Sequence, residues 1–177
     1  MNGLRAGMGL LAAGLMVTGC ISVSETSPAE KAAVATASIN RLAIPGSDFP
    51  ISRAVEIPPG SEILYVSGAV PQVVETDADP NSREAYGDTR RQTETVLEAI
   101  KQNMESAGWS LGDIVMMRVY LVGDEATGGR LDFGGFMEGY SQYFGTPDQP
   151  NKPARAVVEV SGLIRPGWRV EIEGQAA

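Results

Sequence analysis

Arg155, Glu171 and Glu173 are the residues of this 177-residue chain whose types and spacing best suit chemistry. Arg155 lies in Pro153-Ala154-Arg155-Ala156-Val157-Val158-Glu159-Val160, and the carboxylates lie in Trp168-Arg169-Val170-Glu171-Ile172-Glu173. Both runs alternate, which is the period of half-buried strands. In the second run, Trp168, Val170 and Ile172 share one face, and Arg169, Glu171 and Glu173 share the other. In the first, Ala154, Ala156, Val158 and Val160 face one way, and Arg155, Val157 and Glu159 face the other. The connection from Ser161 to Trp168 contains Gly162, Pro166 and Gly167. It suits a return loop and is too short for a crossover helix. As antiparallel neighbours, the two strands would bring Arg155 level with the Glu171 to Glu173 end. An arginine fork and a carboxylate on one sheet surface make either a polar site or a partly exposed salt bridge. Spacing alone favours the salt bridge.

Composition narrows the chemistry. Apolar residues make up 43% and charged residues 20%, a globular balance in a chain long enough for one domain with a real core. The net charge of -8 argues against a nucleic-acid partner. With no histidine, the commonest metal ligand and the commonest general base are missing, so no metal site is expected. A single cysteine excludes an internal disulfide, a zinc cluster and a paired redox centre.

That cysteine has a place of its own. Arg5 precedes an apolar run from Ala6 to Val17, which has the proportions of a signal peptide and is too short to span a bilayer comfortably. Val17-Thr18-Gly19-Cys20 resembles a bacterial lipobox, which implies a lipid-anchored Cys20 as the mature N-terminus. Ile21 stands where lipoproteins kept at the inner membrane carry aspartate. The expected address is therefore the outer membrane of the cell envelope, facing the periplasm. On this reading residues 1–19 are a signal peptide, 20–49 a flexible tether and 50–177 the folded domain.

The elements that must position Arg155 and Glu171 follow in order. Arg53 to Ile57 and Glu62 to Gly68 read as strands around the Pro58-Pro59-Gly60 turn. The Asp77 to Asn81 segment lacks EF-hand spacing and reads as a solvated loop. Asp88 caps a helix whose stripe is Thr93, Val96, Leu97, Ile100, Met104 and Ala107, ending at Gly108. Asp113 to Leu121 is a strand, apolar enough at its start to be covered on both faces. A second helix runs from about Asp132 to Phe144, with Phe133, Phe136, Met137, Tyr140 and Phe144 on one side. Two helices on one mixed sheet make a two-layer α+β sandwich. The uncovered sheet face would carry Val157 beside Arg155, which favours an oligomer.

This order of elements resembles the Rid family, the YjgF-like reactive-intermediate imine and enamine deaminases. The resemblance spans roughly Phe49 to Gln175. It rests on Tyr65-Val66-Ser67-Gly68, Gly87-Asp88-Thr89-Arg90-Arg91-Gln92-Thr93, Pro153-Ala154-Arg155 and Val170-Glu171-Ile172-Glu173. It implies a chorismate-mutase-like fold and a homotrimer with a central barrel and clefts between subunits. In that family an arginine matching Arg155 holds the substrate carboxylate, and a glutamate matching Glu171 positions the attacking water. Ser67 and Gly68 would line the cleft. No cofactor is implied, because an iminium carbon is already electrophilic. The ligand would be a small imino or carboxylate compound.

Two positions depart from the family pattern. Met137 stands where deaminating members carry asparagine, and a thioether donates no hydrogen bond. The segment Pro50-Ile51-Ser52-Arg53 lacks the tyrosine that reaches the cleft in many relatives. Arg53 brings a charge there, either to the ligand or to solvent. Two further readings stay open: a periplasmic module that binds or senses small carboxylates, and a structural or partner-binding lipoprotein.

Overall fold

The computed structural model describes residues 38–177. The lipobox-like segment, Cys20 and most of the expected tether lie outside them. The elements are β1 (Asn40–Ala43), β2 (Ser52–Glu56), β3 (Leu64–Ala69), α1 (Thr89–Ser106), β4 (Ile114–Val122), α2 (Phe133–Tyr140), β5 (Ala154–Val160) and β6 (Val170–Ala176). Strands β1 and β2 form an antiparallel pair, and the other four form a mixed sheet in the order β3-β6-β4-β5. Strand β5 runs parallel to β4, while β6 runs antiparallel to both of its neighbours. Both helices cover one face of the sheet, so the α+β two-layer sandwich is the fold.

The α1 helix begins where its sequence sets it. The Asp88 carboxylate accepts from the Arg91 N–H at 2.8 Å, and Gly108 takes a φ of +80° just past the helix end. Its buried stripe is Thr93, Val96, Leu97, Ile100 and Met104. These pack against Met117, Val119 and Leu121 of β4 and Val170 and Ile172 of β6, all fully buried. Each such aliphatic side chain contributes roughly 1.5–3 kcal/mol on burial. Helix α2 is held close to α1 by a glycine. A Cβ on Gly139 would stand 2.9 Å from both the Arg90 carbonyl oxygen and Thr93 Cβ. That approach stacks Phe136, Tyr140 and Phe144 in series, with centroid separations of 5.5 and 4.8 Å.

Several expectations change. The span read as a tether contains β1, which no apolar stripe announces. A side chain docks it instead: the Arg41 guanidinium donates to the carbonyls of Ile114 and Gly112 at 2.8 Å and of Lys152 at 3.1 Å. The last two strands are not neighbours, because β4 lies between them. Sheet neighbours are only about 4.8 Å apart, so the short return loop reaches over one strand as readily as to the next. Arg155 and Val157 therefore face the helices, in register with buried Met117 and Val119. Strand β4 is covered on both faces only at its start; Arg118 is exposed and Tyr120 half-buried. The second helix closes at Tyr140, and Phe144 enters the core from the turns that follow.

Candidate functional site

The site has two halves on opposite faces of the sheet. Arg155 makes the first. Its strand aims it at α2, where its Cζ lies 4.2 Å from the Tyr140 ring centroid, 5.0 Å from that of Phe136 and 5.6 Å from that of Phe49. Its Nη2 stands 3.3 Å from the Met137 sulfur, which accepts weakly. Its Nη1 is buried with no hydrogen-bond partner, and Arg155 forms no ion pair among the described residues. Burial lowers its pKa, which the nearby Tyr140 oxygen partly offsets. The guanidinium is thus a desolvated cation lacking an anion. Aromatic faces supply part of what water supplied, but they accept N–H only weakly and carry no negative charge.

The segment before β2 closes this half. The Tyr140 hydroxyl donates to the Pro50 carbonyl at 2.9 Å, which holds the Phe49-Pro50 corner over Arg155. Ser52 fastens the same corner to the start of β5, its N–H donating to the Pro153 carbonyl at 2.8 Å and its hydroxyl to the Lys152 carbonyl at 2.6 Å. Burial pushes the Tyr140 phenol far up, so it stays a donor at any working pH.

Glu171 makes the second half, on the open sheet face. Its carboxylate lies directly over Gly68, and a Cβ there would collide with Glu171 Oε1. Ser67 and Gly68 fall within an irregularity of β3, where the pairing with β6 slips between Val66 and Ala69. Glu171 has no ion pair or side-chain hydrogen bond among the described residues. Glu173, its neighbour on the same face, is committed: it takes Arg118 Nη1 at 3.0 Å and the Tyr120 hydroxyl at 3.1 Å. Of the two glutamates, Glu171 is the one left for a ligand or water.

The structure therefore brings Met137 to Arg155, and Gly68 to Glu171, but not the two pairs to each other. Arg53 is exposed on β2 and touches neither Arg155 nor Glu171 through any hydrogen bond or ion pair. Ser67 is exposed at the sheet edge, beside a cavity of about 280 Å³ lined also by Asn103, Met104 and Ala107. A cavity of about 600 Å³ between the Ser110 to Gly112 turn and the Gln149 to Asn151 loop contains none of these groups. Sequence reasoning missed the aromatic cage. Phe136 and Tyr140 were legible as one helix face, but nothing in the sequence said that Arg155 packs on it, and Phe49 fell in the expected tether.

A two-layer α+β sandwich with a half-buried arginine lacking a counter-ion and an uncommitted glutamate is the class these features define. The model of the family described as endoribonuclease L-PSP matches residues 45–177, and the chain belongs to that family, which is also that of the YjgF and Rid proteins. A RutC family protein of Saccharolobus solfataricus is 40% identical over 117 residues, covering 66% of this chain and 78% of that protein. The 3-aminoacrylate deaminase RutC of Acinetobacter baylyi is 33% identical over 132 residues, covering 74% of this chain and 91% of that enzyme. The crystal structure of E. coli TdcF with bound serine aligns over 80% of this chain and 98% of that chain, with a TM-score of 0.51 and 28% identity.

Proposed function

We propose that the protein hydrolyses a small carboxylated imine or enamine, without a cofactor, in a cleft between two subunits of a homotrimer. The observation that carries this reading is the half-buried guanidinium of Arg155, which has no counter-ion among the described residues and whose Nη1 has no hydrogen-bond partner. A planar carboxylate matches its fork, satisfies Nη1 and supplies the missing charge. Arg155 of one subunit would hold the carboxylate, and Glu171 of the next would hold water against the imine carbon. The water oxygen bonds to that carbon while Glu171 takes its proton, giving a carbinolamine. Proton transfer to nitrogen and collapse of the C–N bond then release ammonia and leave a keto acid. Gly68 keeps room for the Glu171 carboxylate. The deaminase among the relatives supports this chemistry, and the serine bound in TdcF suits a small carboxylate ligand. The family description names RNA cleavage; the net charge of -8 and the lack of histidine weigh against that activity here.

A binding module without turnover is the second reading, favoured by Met137, which offers Arg155 a sulfur where a ligand-orienting donor would stand. The same proposal sets the domain on a lipid anchor at Cys20, in the envelope at the outer membrane; loss of palmitate incorporation in Cys20→Ser tests that part. The test of function is the decay of 2-aminoacrylate, generated from serine by a dehydratase, with the domain and with Arg155→Ala and Glu171→Ala. Acceleration lost in both variants is expected. No acceleration by the well-folded protein overturns deamination in favour of binding.

A further inference from the structure

We propose that Met137 is a methionine oxidation site that closes the Arg155 anion site when its sulfur becomes a sulfoxide. The inference rests on Arg155 being the carboxylate-holding residue, and it assigns that site a reversible modification by peroxide.

Three observations converge on this sulfur. It lies 3.3 Å from Arg155 Nη2, so an oxygen added on the side that faces Arg155 lies within reach of the guanidinium. Met137 is half-buried, as is Met116, whereas Met104 and Met117 are sealed in the core at 1% and 0% exposure. The adjoining Nη1 is buried and unsatisfied, an open donor beside the sulfur. In the reduced state the thioether is a weak acceptor and leaves the fork to a ligand.

Peroxide changes that balance. The sulfur lone pair attacks one peroxide oxygen, an S–O bond forms as the O–O bond breaks, and the departing oxygen leaves as water after proton transfer. Sulfur loses two electrons, and peroxide is reduced. The product is a polar sulfoxide whose oxygen accepts strongly from N–H groups. Placed beside a desolvated guanidinium, it takes the position of a carboxylate oxygen. A hydrogen bond to a charged group is worth about 1.5–3 kcal/mol, so carboxylate affinity falls about tenfold or more. Sulfoxide reductases reverse the step.

The test separates this switch from the deaminase reading by using a ligand-free probe. The protein is treated with hydrogen peroxide, oxidised methionines are mapped by peptide mass spectrometry, and Arg155 is then labelled with the arginine reagent phenylglyoxal. Met137 is expected to oxidise ahead of Met104 and Met117, and Arg155 labelling to slow about tenfold. Labelling in Met137→Leu is expected not to respond to peroxide, and reduction by a sulfoxide reductase to restore labelling in the wild type. Unoxidised Met137, or oxidised Met137 with unchanged Arg155 labelling, overturns the proposal. Absence of imine hydrolysis with the labelling switch intact overturns only the deaminase reading.

Discussion

Arg155 and Glu171 project from opposite faces of one sheet, with β4 between their strands. Arg155 is in register with Met117 on the helix-covered face, and Glu171 with Tyr120 on the open face. A small imino acid cannot touch both within one chain, because the sheet itself stands between them. Either only one of the two acts on a ligand, or the second comes from another copy. The open face carries Tyr65, 74% exposed, and Val158, 45% exposed, which gives an assembling copy an apolar surface to cover.

Gly68 is a test of Glu171 that leaves the glutamate in place. In Gly68→Ala the new methyl group takes the position of Glu171 Oε1, and the half-exposed carboxylate has to swing away. Turnover of 2-aminoacrylate is expected to fall roughly tenfold to a hundredfold, the cost of misplacing a reacting group by about an ångström. The melting temperature is expected to stay near that of wild type, since solvent lies beside the displaced group. Full activity in this variant would remove Glu171 from the reaction.

Arg155 makes a stability prediction opposite to its functional one. A desolvated charge without a counter-ion destabilises the fold, and an apolar replacement of similar length relieves that by about 1 kcal/mol or more. Loss of the contact with the Tyr140 ring offsets part of the gain. Thermal unfolding of Arg155→Met is therefore expected at or above the wild-type temperature, with imine hydrolysis abolished. A large drop in melting temperature would make Arg155 a structural tie.

Glu94 ties α1 to the turn that follows α2, where the Gln142 amide donates to its carboxylate. Burial raises its pKa, but hydrogen bonds from Gln142 (2.7 Å), Arg90 (3.0 Å) and Arg91 (3.3 Å) outweigh this and hold it below the ordinary value. A carboxyl depressed on folding stabilises fully above its unfolded pKa, about 4.3, and that stability is lost as pH falls through the folded value. Urea titrations of Glu94→Gln are expected to show a loss of ~1 kcal/mol at pH 7 and a shallower fall in stability below pH 4.3 than wild type. Equal acid slopes in the two proteins would contradict the assignment.

The sequence carried the helix-stripe and strand-alternation patterns, and with them the layer architecture. Asp88 and Gly108 marked the ends of α1 because capping is local chemistry. Strand order was not legible, because alternation states which residues share a face and not which strand lies alongside. That gap put Arg155 on the wrong face of the sheet and hid its cage of Phe49, Phe136 and Tyr140. Strand β1 was invisible for a related reason: Arg41 docks it through carbonyls distant in sequence, and no hydrophobic period records such a contact. The choice of Glu171 over Glu173 rested on resemblance alone; what the sequence could not show is that Glu173 pairs with Arg118 while Glu171 does not.

Complementation between two inactive variants tests the shared cleft most directly. Arg155→Ala and Glu171→Ala are unfolded together, refolded as a mixture and assayed for 2-aminoacrylate hydrolysis beside each variant refolded alone. If each cleft takes Arg155 from one subunit and Glu171 from another, mixed assemblies contain clefts with both residues intact, and activity returns. If the mixture stays as inactive as its components while wild type refolds to full activity, the two residues do not act together across a subunit boundary.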